Sequence, residues 1–152
     1  MTNFQQVHQV LKRHQDLHLS LSRKYSELHD SSEDGRDGML FQLLSEHQLR
    51  LANAIKEYSA QASIGVLNTF FQYTEDPSKA EAIMAFQQSN TLDSALVESM
   101  TMALDKQLHD IYEELREHAE VASVQELFAN LRDHLEQQKI RLATDLATIP
   151  DV

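Results

Sequence analysis

Leu40-Phe41-Gln42-Leu43-Leu44-Ser45-Glu46-His47 returns 87 residues later as Leu127-Phe128-Ala129-Asn130-Leu131-Arg132-Asp133-His134. Extending the comparison towards the N-terminus aligns Leu21–His47 with Leu108–His134 without a gap, and nine of the 27 positions are identical. The other shared positions are Leu21/Leu108, Tyr25/Tyr112, Glu27/Glu114, Leu28/Leu115 and Glu33/Glu120. Compositional chance gives about two matches over such a window, and helical periodicity inflates matching of Leu far more than of Tyr, Phe and His. The chain therefore reads as two copies of one helical hairpin.

Working outward, the first copy carries Phe4, Val7, Leu11, His14, His18, Leu21, Tyr25 and Leu28 at helical spacing, which predicts a helix over 3–30. The polar run Ser31-Ser32-Glu33-Asp34-Gly35 suits a tight turn, and a second helix over 37–62 places Leu40, Leu44, His47, Leu51, Ala54 and Tyr58 inward. In the second copy, Leu96, Met100, Leu104, Leu108, Ile111, Tyr112 and Leu115 predict a helix over 91–119. Ser123-Val124-Gln125-Glu126 has the form of a capping box opening a fourth helix over 123–147, which Pro150 ends. The connection over 63–90 is long enough for a short helix over 78–87, opened after Pro77 by a second capping box, Ser78-Lys79-Ala80-Glu81, and it concentrates Phe70, Phe71, Tyr73, Ile83, Met84 and Phe86. These residues are expected to cover the open end of the core or to form a dimer contact. One domain over 1–152 is expected, with hairpins over 3–62 and 91–147.

Composition narrows the function classes. The chain has no Cys, which removes disulfides, thiolate metal sites and Cys nucleophiles. Its net charge is -11, which repels polyanions at long range. Neither nucleic acid nor a membrane surface is an expected partner. No apolar run approaches the length of a membrane span, and the first residues lack the basic and apolar regions of a signal peptide. A cytoplasmic protein is the expectation. No phosphate-binding Gly loop or Ser-His-Asp spacing occurs, so no catalytic residue is nominated.

Four inner positions that normally hold aliphatic residues hold His14, His18, His47 and His134. At about 1.5 Å per residue, His18 and His47 both lie roughly 22 Å from the first turn. Asp105 and His134 stand in the same relation to the second. One mid-bundle layer is thus expected to gather His18, His47, Asp105 and His134, with Glu46 and Asp133 one residue away. Imidazole with carboxylate suits iron, manganese or zinc without any thiolate. A layer of neutral, hydrogen-bonded histidines needs no metal. Both readings stay open on the sequence.

Two hairpins joined by one long crossover, with Tyr25 and Tyr112 seven residues beyond His18 and Asp105, resemble the ferritin-like superfamily, rubrerythrins included. The resemblance implies an all-α, ferritin-like four-helix bundle. It places carboxylate ligands at the positions of His18 and Asp105, and a Glu-x-x-His pair on each of the second and fourth helices. Glu46 is the one residue of six that keeps the family's identity. Leu49 stands where the first His belongs, and Asp133 and Glu136 replace the second pair. Joined to the His18, His47, Asp105 and His134 layer read from the spacing, the positions implied by the resemblance give a metal set of His18, His47, Asp105, His134, Glu46, Asp133 and Glu136, for metal handling or redox chemistry. The alternative is a metal-free structural or protein-interaction bundle. A homodimer is the expected assembly.

Overall fold

The first long helix begins where its apolar repeat begins. Val7, Val10, Leu11, His14, His18, Leu21, Tyr25 and Leu28 are the buried residues of α1 (Val7–Ser31), spaced so that one stripe faces inward. The preceding residue, Gln6, is extended at φ -90° and ψ 151°, and its backbone N–H donates to the Gln9 side chain at 2.8 Å. In the computed structural model, which describes residues 3–33, 35–73, 77–88 and 93–150, the protein is all-α apart from one small sheet. The chain order is β1 (Asn3–Gln6), α1, α2 (Gly35–Gln61), α3 (Ile64–Leu67), β2 (Phe70–Tyr73), α4 (Pro77–Gln88), α5 (Ser94–His118) and α6 (Ala122–Ala147).

The four long helices pair as α1 with α2 and α5 with α6, and α2 also packs along α6. Small residues let α1 and α2 approach closely. The Ser22 hydroxyl donates to the Ser45 carbonyl at 3.0 Å, and the Ser45 hydroxyl donates back to the Ser22 carbonyl at 2.9 Å. At the other interface, Arg50 on α2 donates to Gln138 on α6 at 2.8 Å. Leu21, Phe41, Leu44, Leu108, Leu115, Phe128 and Leu135 belong to one apolar core that draws on all four helices. No described helix is long and apolar enough to cross a membrane.

Three sequence expectations change. Residues 3–6 are not the first turn of α1. They form a strand, antiparallel to β2 in the register Phe4↔Gln72, Gln5↔Phe71 and Gln6↔Phe70. The pairing supplies main-chain partners to a segment whose Phe71 must be buried over the core, against Phe128 at 6.0 Å between ring centroids. Phe70 and Met84 are exposed, so only part of the connection's aromatic and apolar mass covers the core. The side chains of Tyr73, Ile83 and Phe86 lie outside the described residues. Neither expected capping box has its Ser at the cap. Ser78 lies inside α4, whose first position is Pro77, a residue that loses no hydrogen bond there.

At the start of α6 the N-cap is Val121, with no side chain accepting a first-turn amide. Val is among the poorest N-caps because it offers no acceptor. Replacing Val121 by Ser should therefore raise the unfolding free energy by about 1 kcal/mol, measured by urea denaturation. Equal or lower stability would show that the cap is already satisfied.

Candidate functional site

The inner stripes carry a polar layer within the apolar core. α1 contributes His14 and His18, α2 contributes His47 and Gln48, and α5 contributes Thr101 and Asp105, all of them buried. They are tied across helices in pairs. The His14 Nδ1 meets the Tyr112 hydroxyl at 3.0 Å. The His18 Nδ1–H donates to the Gln48 Oε1 at 2.7 Å. The His47 Nε2–H donates to the Asp105 Oδ2 at 2.8 Å. The Tyr25 hydroxyl bonds the Thr101 hydroxyl, which in turn donates to the Val97 carbonyl at 2.9 Å.

The pairs obey the offset of the sequence repeat. Tyr25 and Tyr112 are 87 residues apart, and so are their partners, Thr101 and His14 in crossed order. The same offset maps the His47–Asp105 pair onto His134 and His18. These two do not share that hydrogen bond. They line a cavity of about 10 Å³ together with Tyr112, Leu51, Leu131 and Leu135, room for about one water molecule. Leu135 stands 87 residues after Gln48, so His134 has no such amide beside it in sequence, and His18 commits its Nδ1–H to Gln48.

Burial controls the protonation of this layer. Desolvation, helped by the neighbouring charges of His18 and Arg13, pushes His14 down to about 3. His18 is pushed down to about 4, again by burial first, with Gln48 and Asp105 partly opposing it. Removing imidazolium from water into an apolar core is the common cause. Burial also raises the Tyr25 and Tyr112 phenols, so both keep their hydrogens for bonding. His134 is lowered by partial burial, against a raising influence from Glu57.

Of the seven nominated residues, the structure brings His18, His47 and Asp105 into the buried layer. His134 is half-buried and edge-on to Tyr58 at 6.5 Å between ring centroids. The other three depart from the expected shell. Glu46 is exposed and accepts from Gln42 at 3.3 Å. Asp133 is exposed and pairs with Arg132 at 3.0 Å. Glu136 bonds Lys139 at 3.3 Å and lies 3.6 Å from His109. One helical position is a rotation of about 100°, which keeps Gln48 inward on one side of His47 and turns Glu46 outward on the other, as it turns Asp133 outward beside His134.

The remaining donors do not converge. Asp105 sits at the Nε2 side of His47 with a hydrogen between them, so that nitrogen is not a free lone pair. Among the described residues no group of three or more His, Asp or Glu side chains is placed to hold a metal ion. The donor set does not fit a dinuclear carboxylate centre. The His47 Nδ1, Gln48 Nε2, Asp105 Oδ1 and His134 Nε2 are buried with no hydrogen-bond partner among the described residues.

Gln48, Thr101 and the two Tyr hydroxyls belong to the layer and are missing from the nominated set. Thr101 was discoverable, because the 87-residue offset maps it onto His14. Gln48 carried no such signal.

A second feature lies where β2 faces the α5–α6 turn. A groove of about 370 Å³ runs there, lined by Phe4, Phe70, Phe71, Gln72, Glu120 and Val121 among others. Phe4 is 71% exposed, Phe70 64% and Val121 45%. Comparison of the chain with protein-family models, curated proteins and solved structures finds no match in any of the three.

Proposed function

We propose that this chain is a four-helix bundle of two duplicated hairpins with ferritin-like topology, without a dinuclear metal centre, that works as a protein-interaction module. The duplicated-hairpin reading is supported by the crossed Tyr25–Thr101 and Tyr112–His14 bonds, which obey the offset of the sequence repeat. The polar layer, in this reading, orients the helices relative to one another. The His18–Gln48, His47–Asp105, Tyr25–Thr101 and Tyr112–His14 bonds each join two different helices, so a rotated or slid helix would strand several buried polar groups at about 1–3 kcal/mol apiece.

The interaction role is carried by one observation, the grouping of exposed Phe4, Phe70 and Val121 around a single groove. Single exposed apolar residues are ordinary, but clustered ones mark contact sites. A net charge of -11 makes each copy repel another, so the expected occupant is a different protein.

A photo-crosslinking residue at position 70, in cells that express the protein natively, should yield a discrete adduct absent when the label is at Lys106. The adduct's partner, identified by mass spectrometry and purified, should bind the wild-type chain and not the Phe70→Asp variant. An adduct of twice the chain mass would replace this reading with the homodimer. Stoichiometric iron, manganese or zinc in protein purified without chelator or tag, lost on replacing His18 and His134, would restore the metal-handling reading.

A further inference from the structure

We infer that the groove beside β2 takes an extended peptide segment of a partner protein as an added strand, with apolar residues at alternate positions and basic residues at its ends. The inference rests on the interaction reading above and names the partner's chemistry.

The geometry begins with the strand. Thr69, Phe70, Phe71 and Gln72 all line the groove in succession, whereas β1 contributes only Phe4. Successive side chains of a strand point to opposite faces, so a groove touched by four in a row runs along the strand's edge. The sheet has two strands among the described residues, which leaves β2 with one edge not paired to β1.

Hydrogen-bond alternation says which main-chain groups lie on that edge. The Val7 amide donates to the Thr69 carbonyl at 3.1 Å, and the Gln6 amide, opposite Phe70, donates to Gln9 and not across the sheet. In an antiparallel pair, bonded and non-bonded positions alternate. The Thr69 carbonyl therefore faces the β1 side, while the Thr69 amide donates back to the Val66 carbonyl at 3.1 Å; by the same alternation Phe71 turns its main-chain groups to β1, and Phe70 and Gln72 turn theirs to the groove. An extended segment laid there meets two residues' worth of main-chain donors and acceptors, the means by which strand addition gains affinity.

The opposite wall supplies specificity. Val121 occupies an N-cap, where Ser, Thr, Asp or Asn would stabilise α6 better, and its side chain is exposed beside the groove. A residue that is locally unfavourable and apolar at the surface is expected where function selects it. With Phe70 it offers apolar contact to alternate residues of the incoming strand.

Charge selects the ends. Among its described lining residues the groove has one carboxylate, Glu120, and no Lys or Arg, in a chain that carries -11 overall. Basic flanks are attracted and acidic flanks repelled.

The test is titration of isotope-labelled protein with the acetylated, amidated peptide Lys-Val-Thr-Val-Thr-Val-Lys, followed by amide resonances and solvent exchange. Shifts should map to residues 69–72 and 118–124, and the Phe70 and Gln72 amides should gain exchange protection. The counterpart with Glu at both ends should bind about tenfold more weakly at low salt, with the difference shrinking as salt is added. Gln72→Pro deletes one groove-facing amide without touching the pairing to β1, and should weaken binding about tenfold, the worth of one main-chain hydrogen bond. Val121→Ser gives α6 a side-chain cap while removing the apolar contact, and should weaken binding as well.

Shifts elsewhere, equal binding of the two peptides, or no effect of Gln72→Pro would overturn strand addition. Those results leave intact a crosslinked partner at position 70, which docks by another mode. Loss of that partner with peptide binding retained would instead overturn the broader role.

Discussion

Replacing either His47 or Asp105 by Leu should cost about 3 kcal/mol of stability, whereas replacing both should leave stability within about 1 kcal/mol of wild type. The two side chains are wholly buried and joined by the 2.8 Å bond from Nε2 to Oδ2. A single replacement strands the survivor, whose polar atom then has neither its partner nor water. The double replacement removes both desolvated groups and puts apolar volume into a core already made of Leu, Phe and Val. The coupling measured by a double-mutant cycle should therefore approach the sum of the two single costs, about 5–6 kcal/mol. Urea unfolding of the four proteins above pH 7 reads it directly. Additive losses would mean that the pair has no joint role. A double variant that stays far below wild type would point to a further group bound at the His47 Nδ1 or the Asp105 Oδ1, both without partners among the described residues.

Acid should unfold the protein well above the pH at which its carboxylates are all neutralised. His14 and His18 sit at about 3 and about 4 when folded, against 6.5 when free. The unfolded chain therefore takes up protons first. Stability is fully present above about 6.5 and is lost as pH falls towards the folded values. Each histidine contributes a slope of about 1.4 kcal/mol per pH unit, and the pair should remove about 4 kcal/mol between pH 6.5 and pH 4.5. That is a large part of the 5–15 kcal/mol typical of a small domain. Glu113, held down to about 2 by Arg116 and Arg132 against an ordinary 4.5, acts below this window, so the window reports the imidazoles. His14→Gln keeps an acceptor for the Tyr112 hydroxyl while removing the titration, and should roughly halve the slope. A stability profile that is flat from pH 6.5 to pH 4.5, or a His14→Gln profile as steep as wild type, would show that these rings are hydrated and protonate freely.

The two effects share one cause. His47 is tolerated in this layer with its partner Asp105 present, and His14 and His18 with their second protons absent. That condition follows from positions visible in the sequence together with distances that are not. His14, His18 and His47 could be read as inward-facing because each occupies a place in a helical stripe otherwise filled by Leu, Val and Tyr. Asp105 could be placed at their depth by counting from the turn. The count has a resolution of one residue along the axis, and it treats neighbouring residues as near. Glu46, Asp133 and Glu136 show the error, because a neighbour in sequence on a helix is turned away by more than a quarter of a circle.

The sequence by itself determined the long helices to within a few residues of their ends, the inward histidines, the absence of thiol chemistry and the acidic surface. These are local or additive properties. Helical periodicity repeats over several turns, and charge is a sum. Tertiary structure alone decided that His18 bonds Gln48 instead of meeting His134, and that the His47 Nε2–H meets the Asp105 Oδ2. It also decided that residues 3–6 leave the helix to pair with 70–73, and that Val121 takes the N-cap beside a groove. Hydrogen-bond partners across helices change with a shift of about 1.5 Å, a single helical rise, and a pair of four-residue strands about 67 positions apart has too little periodicity to announce itself. Which polar atoms meet is set by how the helices rotate and slide as the core closes, and that information belongs to the packing.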